Sequence, residues 1–356
     1  MNVLTGYIVK EILRGSFVAL LLLLTLFNLF TFSDELKALG GDYGLEEIFK
    51  YLALTSPRVL YELVPFAALL GSLFVLGALG NNRELIAMRA SGVSVLGIIK
   101  AVMLAGAFLA VFSIVVGEFV APSTERAAQV LKMTARNKRV VIQSRYGLWL
   151  RDGRKFVNVR QIQSDGTLAD IYIYELDQAR HLKIASHAQQ AEFQGKDLWQ
   201  LRQITKSEIS KRQVREFTVP SESWRSLIDP ELVNVAVVKP DNLSLYDLSL
   251  YIDFMKKNKQ KAQSFELAFW GRLINPFVTF VMLLVATPFV IGIRRGVSVG
   301  ARMMLGILIG MSFNIIDKII GHLSLIYELN PALMAVLPSA LVFLLALLAV
   351  RKVQDF

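Results

Sequence analysis

Residues 93–121, VSVLGIIKAVMLAGAFLAVFSIVVGEFVA, form an apolar run interrupted by only one lysine and one glutamate. The run is longer than the roughly 20 residues that an α-helix needs to cross a bilayer. Five other runs approach or exceed that length, at residues 16–32, 59–79, 273–293, 299–316 and 332–350. Residues 122–263 contain no such run and carry dense charge. We therefore predict six membrane spans, with an aqueous domain inserted between the third and the fourth.

The composition agrees with a chain shared between lipid and water. Of its 356 residues, 54% are hydrophobic and 19% are charged, which is too apolar for a soluble enzyme of this length and too charged for burial in lipid alone. The absence of cysteine excludes disulfides, thiolate metal sites and cysteine nucleophiles. The three histidines are scattered, which speaks against a histidine metal cluster.

The short connections between spans predict the orientation, because Lys and Arg near span ends are retained in the cytoplasm. Such residues lie before span one, after spans two and four, and at the C-terminus: Lys10, Arg14, Arg83, Arg89, Arg294, Arg295, Arg302, Arg351 and Lys352. We expect both termini inside and the large insert outside. Residues 30–34, FTFSD, offer no small-x-small cleavage site, so the first span is expected to remain as a membrane helix.

The insert has the pattern of a β domain. Residues 145–159, RYGLWLRDGRKFVNV, read as two strands around an Asp-Gly turn, and further strands are predicted at 171–176, 182–193 and 198–205. Short strands at this spacing favour an antiparallel sandwich, jelly roll or barrel. Ser244 and Asp247 resemble a capping box, which predicts an amphipathic helix leading back to span four.

Motifs of common enzymes are absent. The only Gly-Lys pair, at 195–196, lacks the upstream glycine of a phosphate-binding loop, so we expect no ATP hydrolysis by this chain alone. Neither G-x-S-x-G nor H-E-x-x-H occurs. The sequence therefore favours a chain that is not an enzyme.

Residues 81–92, NNRELIAMRASG, predict a short cytoplasmic helix with Leu85, Met88 and Ile86 on its apolar side. It is either a connector lying on the membrane or a helix that seats in a groove of a partner. Two glycine pairs, at 296/300 and 306/310, similarly fit either helix packing within the chain or contact with a second subunit.

Charged residues at the outer membrane face have two interpretations. Glu62 and Glu118 lie near the outer ends of spans two and three, where we expect carboxylates at the interface or paired with a donor. Cations that follow spans one and three are either solvated or hold an anionic headgroup: Lys37, Lys132, Arg136, Lys138 and Arg139.

Three segments together resemble a known family. They are ELVPFAALLGSLFVLGALGNNRELIAMRASGVS at 62–94, GEFVAPSTE at 117–125 and GLWLRDGRKFVNV at 147–159. With six spans and a β insert after the third, they resemble the LptF/LptG permeases of the lipopolysaccharide export transporter over essentially the whole chain. DELKALG at 34–40 and GLWLRDG are more similar to the LptG branch than to the LptF branch.

The resemblance implies an α-helical membrane protein with an inserted all-β, jelly-roll-like periplasmic domain. Residues 1–121 would hold spans one to three with a coupling helix near 82–91, residues 122–264 the β domain with helical connectors, and residues 265–356 spans four to six. The chain would lie in the bacterial inner membrane as the partner of an LptF-like permease. An LptB-like ATPase dimer carrying ATP and Mg²⁺ would drive it, and an LptC-like protein would accept lipopolysaccharide. No cofactor on this chain and no nucleic-acid partner are expected.

The resemblance also implies roles for individual residues. Glu84 stands at the carboxylate position that pairs with an arginine of the ATPase, and Lys37 matches a family lysine near the lipid phosphates, although Ala38 replaces an adjacent family lysine. The remaining residues implied in coupling are Arg83, Leu85, Met88 and Arg89, and those implied in lipid contact are Lys132, Arg136, Phe27, Phe30, Met304, Ile309 and Phe313.

Two other classes compete with this interpretation. Exporter subunits of the lipoprotein-release or macrolide type have four spans with the insert after the first, whereas here the insert follows the third. A membrane-anchored scaffold or receptor would need fewer spans and no ordered cytoplasmic helix, but the sequence alone leaves it open.

Overall fold

The computed structural model describes residues 3–40, 43–135, 140–152, 154–163, 167–179, 181–195, 198–210, 213–225, 239–257, 260–291 and 299–354. Two compact units emerge. The helical unit comprises Met1–Glu35, Leu52–Glu125 and Gln263–Phe356, and the β unit comprises Leu36–Tyr51 and Arg126–Ala262.

The helices follow the predicted spans but extend past them. Their bounds are α1 Val3–Leu36, α2 Leu45–Asn81, α3 Glu84–Ala90, α4 Val95–Val115, a π-helical turn Val116–Val120, α5 Ala121–Ala135, α6 Leu245–Lys257, α7 Gln263–Ile291, α8 Val299–Ile326 and α9 Pro331–Gln354. Within the described ranges, 6 helical segments are long and apolar enough to cross a membrane, which confirms the predicted number of spans.

Small residues set the helix packing of the helical unit. A Cβ atom on Gly71 of α2 would lie 2.3 Å from the backbone nitrogen of Ser16, so α1 and α2 cross with their backbones in contact. On α8, a Cβ atom on Gly306 would lie 2.4 Å from Leu73 Cδ1, and one on Gly310 would lie 3.0 Å from Phe66 Cδ1. These two glycines of the fifth span therefore pack against α2 of the same chain. Of the other pair, Gly296 lies outside the described residues, and a Cβ atom on Gly300 would meet nothing within 4 Å.

The β unit contains an antiparallel sheet whose 6 strands pair in sequence order. They are β1 Val140–Asp152, β2 Lys155–Gln163, β3 Leu168–Leu176, β4 Leu182–Gly195, β5 Leu198–Ile209 and β6 Val214–Arg225. The predicted hairpin is present, with Asp152 paired to Lys155. The inserted all-β domain is thus confirmed, and its last described strand, β6, is one that the sequence pattern did not predict.

The buried side of the sheet changes phase along one row of residues. On β4 the buried residues are Ser186, Ala188 and then Ala191, and on β5 Leu201 is followed by Ile204, so the alternation slips by one in both strands. Asp170 on β3 and Gln203 on β5 lie in this row and have left-handed backbones, both with φ 52. Because the alternation slips at this row, apolar side chains stay buried in the parts of each strand before and after it.

Helix α6 begins as the capping box predicts. The Ser244 hydroxyl accepts a hydrogen bond from the Asp247 backbone N–H at 3.1 Å and donates to the Asp247 carboxylate at 2.8 Å. The carboxylate also pairs with Arg126, near the start of α5.

Candidate functional site

The short helix predicted on the cytoplasmic side is present as α3. Leu85 and Met88 are 7% and 6% exposed and belong to the core of the helical unit, which fixes the helix against the spans. Ile86 is 50% exposed, so its predicted place on the apolar side is wrong. Arg83, which precedes the helix, has a left-handed backbone, and Arg89 in the last turn is exposed. The helix therefore has one anchored side and one open side.

The Glu84 carboxylate is held at both of its oxygens. The Tyr7 hydroxyl, on α1, donates to Oε2 at 3.0 Å, and Asn82 Nδ2 donates to Oε1 at 3.3 Å. Such bonds restrict the rotamers of a side chain that would otherwise swing freely. No sequence signal indicates Tyr7, since it lies 77 positions away on another helix.

An apolar cavity of about 250 Å³ lies between α1, α2 and α8. Its lining comes from three helices and includes one polar side chain: Leu23, Leu63, Phe66, Leu69, Leu70, Gly306, Ile307, Gly310, Met311, Asn314 and Ile315. The volume is somewhat below the range of roughly 300–1,000 Å³ typical of sites for drug-sized ligands. A segment of a hydrocarbon chain suits both its volume and its apolar lining.

The five apolar residues implied in lipid contact lie outside this cavity lining. Phe27, Phe30 and Met304 are exposed on the surfaces of α1 and α8, with exposures of 38%, 64% and 66%. Phe313 is buried in the core of the helical unit, and Ile309 packs against that core. The side of α8 that lines the cavity is instead the one that carries Ile307 and Met311.

The cations implied in headgroup contact are partly described. Lys37 follows the last residue of α1 and is exposed. Lys132 on α5 places its Nζ 4.8 Å from the centroid of the Tyr51 ring, a cation–π distance. Arg136, Lys138 and Arg139 lie outside the described residues.

A buried ion pair joins the third and fourth spans. Arg272 on α7 places its Nε 2.5 Å from Glu118 Oε1, and it also donates to the Gly117 carbonyl in the π-helical turn. The Tyr61 hydroxyl donates to the Arg272 carbonyl at 3.2 Å, and the guanidinium lies 5.1 Å from the Tyr61 ring centroid. The prediction that Glu118 pairs with a donor is confirmed, and the donor is a residue that sequence reasoning missed.

A second group of charges lies on α2 and α5. Arg58 pairs with Glu62 at 2.9 Å and with Glu125 at 3.3 Å. Glu125 is only 2% exposed. The expectation that Glu62 pairs with a donor is therefore also confirmed, since Arg58 supplies the donor.

Comparison with known proteins gives a match over almost the entire chain. Residues 6–352 match the family described as lipopolysaccharide export system permease LptF/LptG. A curated relative, the lipopolysaccharide export system permease protein LptG of Haemophilus influenzae, is 34% identical over 343 residues, which are 96% of each chain. The protein of the same name from Escherichia coli K12 is 33% identical over 355 residues, or 99% of each chain.

Proposed function

This chain belongs to the LptF/LptG family of lipopolysaccharide export permeases, and from that premise we propose that it is the LptG-type half of an ATP-driven transporter. In this proposal it pairs with an LptF-like permease and an LptB-like ATPase dimer. The complex extracts lipopolysaccharide from the inner membrane and passes it to a periplasmic bridge that begins with an LptC-like protein. The termini lie in the cytoplasm and the β unit in the periplasm, as the distribution of Lys and Arg favours.

The energy has to come from another chain. Moving acyl chains through water costs about 0.8 kcal/mol per exposed methylene, so extraction without an energy source is slow. This sequence has no phosphate-binding loop. ATP hydrolysis on a cytoplasmic partner must therefore act through a contact on the inner face of this chain.

The observation that carries the proposal is the arrangement of α3. Leu85 and Met88 anchor one side of the helix to the core of the helical unit. The other side, with Ile86 and Arg89, is exposed, and both it and the Glu84 carboxylate that Tyr7 and Asn82 hold in place are available to a partner. We propose that this open side seats in the ATPase and that Glu84 pairs there with an arginine. Charge-assisted, bidentate pairs of this kind are strong and geometrically specific.

The lipid route follows α1 and α8. We propose that acyl chains contact the exposed Phe27, Phe30 and Met304 and extend into the neighbouring apolar cavity. Ile309 and Phe313 are proposed to hold α8 in place through their packing with the core of the helical unit. Lys37, Lys132 and Arg136 are proposed to hold the phosphates of the headgroup. Each cation near an anionic lipid surface contributes about 1 kcal/mol.

The test is a reconstitution in liposomes that contain lipopolysaccharide. The purified chain is assembled with its partner permease and ATPase, and a soluble LptC-like acceptor carrying a photo-crosslinker is added. We expect crosslinked lipid on the acceptor only when ATP is present. A stable complex that releases no lipid in response to nucleotide would support the membrane-anchored scaffold and contradict transport.

A further inference from the structure

Arg302 is a buried cation at the inner end of the fifth span. It lies in the first turn of α8 and is 5% exposed. Its Nη1 donates to the Gly77 carbonyl at 3.0 Å and its Nη2 to Asn81 Oδ1 at 3.4 Å. Among the described residues, no carboxylate pairs with it and its Nε has no hydrogen-bond partner. A residue that served only as an orientation signal would not need to be buried in this way.

Burying a guanidinium without a carboxylate is costly unless other groups compensate the charge. Here the compensation comes from the last turn of α2, where backbone carbonyls carry the partial negative charge of a helix C-terminus. A cation in this position stabilises the protein only while the end of α2 and the start of α8 stay together. The contact therefore ties the two spans at their inner ends.

The contact has no room for a larger residue on α2. A Cβ atom on Gly77 would lie 2.9 Å from Arg302 Nη1, closer than atoms in contact normally approach. Arg302 also reaches Asn81, the last residue of α2, and Asn82 next to it donates to the Glu84 carboxylate. Two hydrogen bonds, linked through the peptide bond between Asn81 and Asn82, thus connect the coupling carboxylate to the fifth span.

We propose that Arg302 is a positioning residue that makes the inner end of α8 follow the end of α2 and α3. A displacement imposed on α3 by the ATPase is then transmitted to the fifth span, which lines the apolar cavity further along the helix at Gly306, Ile307 and Gly310. This inference rests on the proposed transport function and adds to it the residue through which the coupling helix reaches the lipid-facing helix. It requires that both helices move as one element between two states.

Two substitutions break the contact from opposite sides. Arg302→Gln removes the charge. Gly77→Ala leaves Arg302 in the sequence, and its added methyl group displaces only the flexible end of the arginine side chain, so we expect this variant to fold. Arg302→Lys keeps one charged donor and should retain part of the effect, because lysine lacks the planar fork of arginine. Gly271→Ala is the matched control, since a Cβ atom there meets nothing within 4 Å.

The experiment uses the whole transporter and two readouts. Spin labels are placed on cysteines introduced at Leu96, just after α3, and at Leu308 on α8, both of which are exposed in a chain without native cysteine. Partner chains are freed of reactive cysteine. The distance between labels is measured with and without a non-hydrolysable ATP analogue, and ATP hydrolysis and lipid release are measured in the same preparations.

Because the two helices move together in the unmodified chain, we expect the distance there to be the same with and without the nucleotide, and to change with the nucleotide in Arg302→Gln and Gly77→Ala, in which α8 no longer follows. Lipid release should fall by about fivefold or more in both variants, within the usual range of coupling effects. ATP hydrolysis should continue in both, and Gly271→Ala should behave as the unmodified chain. Lipid release that survives both substitutions, with a label distance that stays the same with and without the nucleotide, would overturn the role of Arg302 alone. So would failure of both variants to assemble, which would make the contact purely structural. Absence of ATP-dependent release from the unmodified complex would overturn the proposed function as well.

Discussion

Arg272 and Glu118 form an ion pair 154 positions apart in the sequence, with Nε and Oε1 2.5 Å apart. The side chain of Arg272 is 6% exposed and that of Glu118 19% exposed. The pair joins the π-helical turn of the third span to the fourth span. Such turns frequently mark functional places in helices, and this one brings both Glu118 and the Gly117 carbonyl onto a single guanidinium.

Removing one partner of this pair should destabilise the transporter strongly. Arg272→Met takes the guanidinium away from the Glu118 carboxylate, and Glu118→Leu takes the carboxylate away from the buried guanidinium, each at a cost of about 3–5 kcal/mol. The double variant should recover most of the loss, because two apolar side chains of suitable size can replace a buried pair. Thermal unfolding midpoints of the purified transporter measure the effect.

Arg351→Met, which removes an exposed cation, is the control for loss of positive charge and should leave the midpoint unchanged. Equal losses in the single and double variants would show that the two side chains do not stabilise each other, contrary to the expectation.

Gly117→Ala should also destabilise the packing of the third span against the second. A Cβ atom there would lie 2.4 Å from Tyr61 Cδ2, and overpacking of this kind typically costs about 1–3 kcal/mol. The unfolding midpoint should fall in Gly117→Ala and not in Gly271→Ala, where the added methyl group meets open space. An unchanged midpoint in Gly117→Ala would mean that the Tyr61 ring moves aside without cost.

The sequence indicated Glu118 but not its partner, and the reason is physical. Apolar runs mark where side chains meet lipid, so span four was predicted to begin at residue 273, one position after Arg272. A charged residue that is paired inside the helix bundle interrupts an apolar run in the sequence in the same way as a charged residue in water. The partner of Glu118 is therefore visible only once the helices are packed.

The β unit shows a similar division. Alternation and the Asp-Gly turn predicted β1 to β5, because a strand with one side buried alternates apolar and polar residues. Strand β6 was missed since most of its residues are exposed and Pro220 interrupts the pattern. The phase slip at Asp170 and Gln203 depends on left-handed backbones in residues other than glycine, for which the sequence carries no marker.

Glu84→Ala should weaken binding of the ATPase or uncouple hydrolysis from lipid extraction. Loss of one partner of a buried charge pair at an interface costs about 2–5 kcal/mol, so association should weaken by tenfold or more. Tyr7→Phe removes one of the two donors that hold the carboxylate and should act in the same direction to a smaller extent. Co-purification of the ATPase and its lipid-stimulated turnover are the measurements.

Glu11→Ala is the matched control, because Glu11 is a carboxylate on α1 whose ion pair is with Arg14, one helical turn away. Unchanged assembly and transport in Glu84→Ala would remove Glu84 from the coupling contact. The proteolytic pattern of the β unit should be the same in all of these variants.

Lys37→Glu should reduce crosslinking of lipopolysaccharide to α1 without lowering basal ATP hydrolysis. A cation at an anionic surface contributes about 1 kcal/mol, and charge reversal adds repulsion, so crosslinking should fall about fivefold or more. Lys183→Glu, which reverses an exposed charge on β4, should not change crosslinking. Equal crosslinking in Lys37→Glu and the unmodified chain would remove Lys37 from the headgroup contact.

Gln203→Gly should protect β5 against local opening, although glycine normally weakens strands. The left-handed backbone of Gln203 costs about 1–2 kcal/mol in a residue with a Cβ atom, whereas glycine adopts it freely. Gln190→Gly changes the same residue type at an exposed, extended position of β4 and should instead lose about 0.5–1 kcal/mol. Amide hydrogen exchange in the full transporter should therefore slow in β5 for Gln203→Gly and accelerate in β4 for Gln190→Gly. Faster exchange in both variants would show that the bend at Gln203 stores no strain.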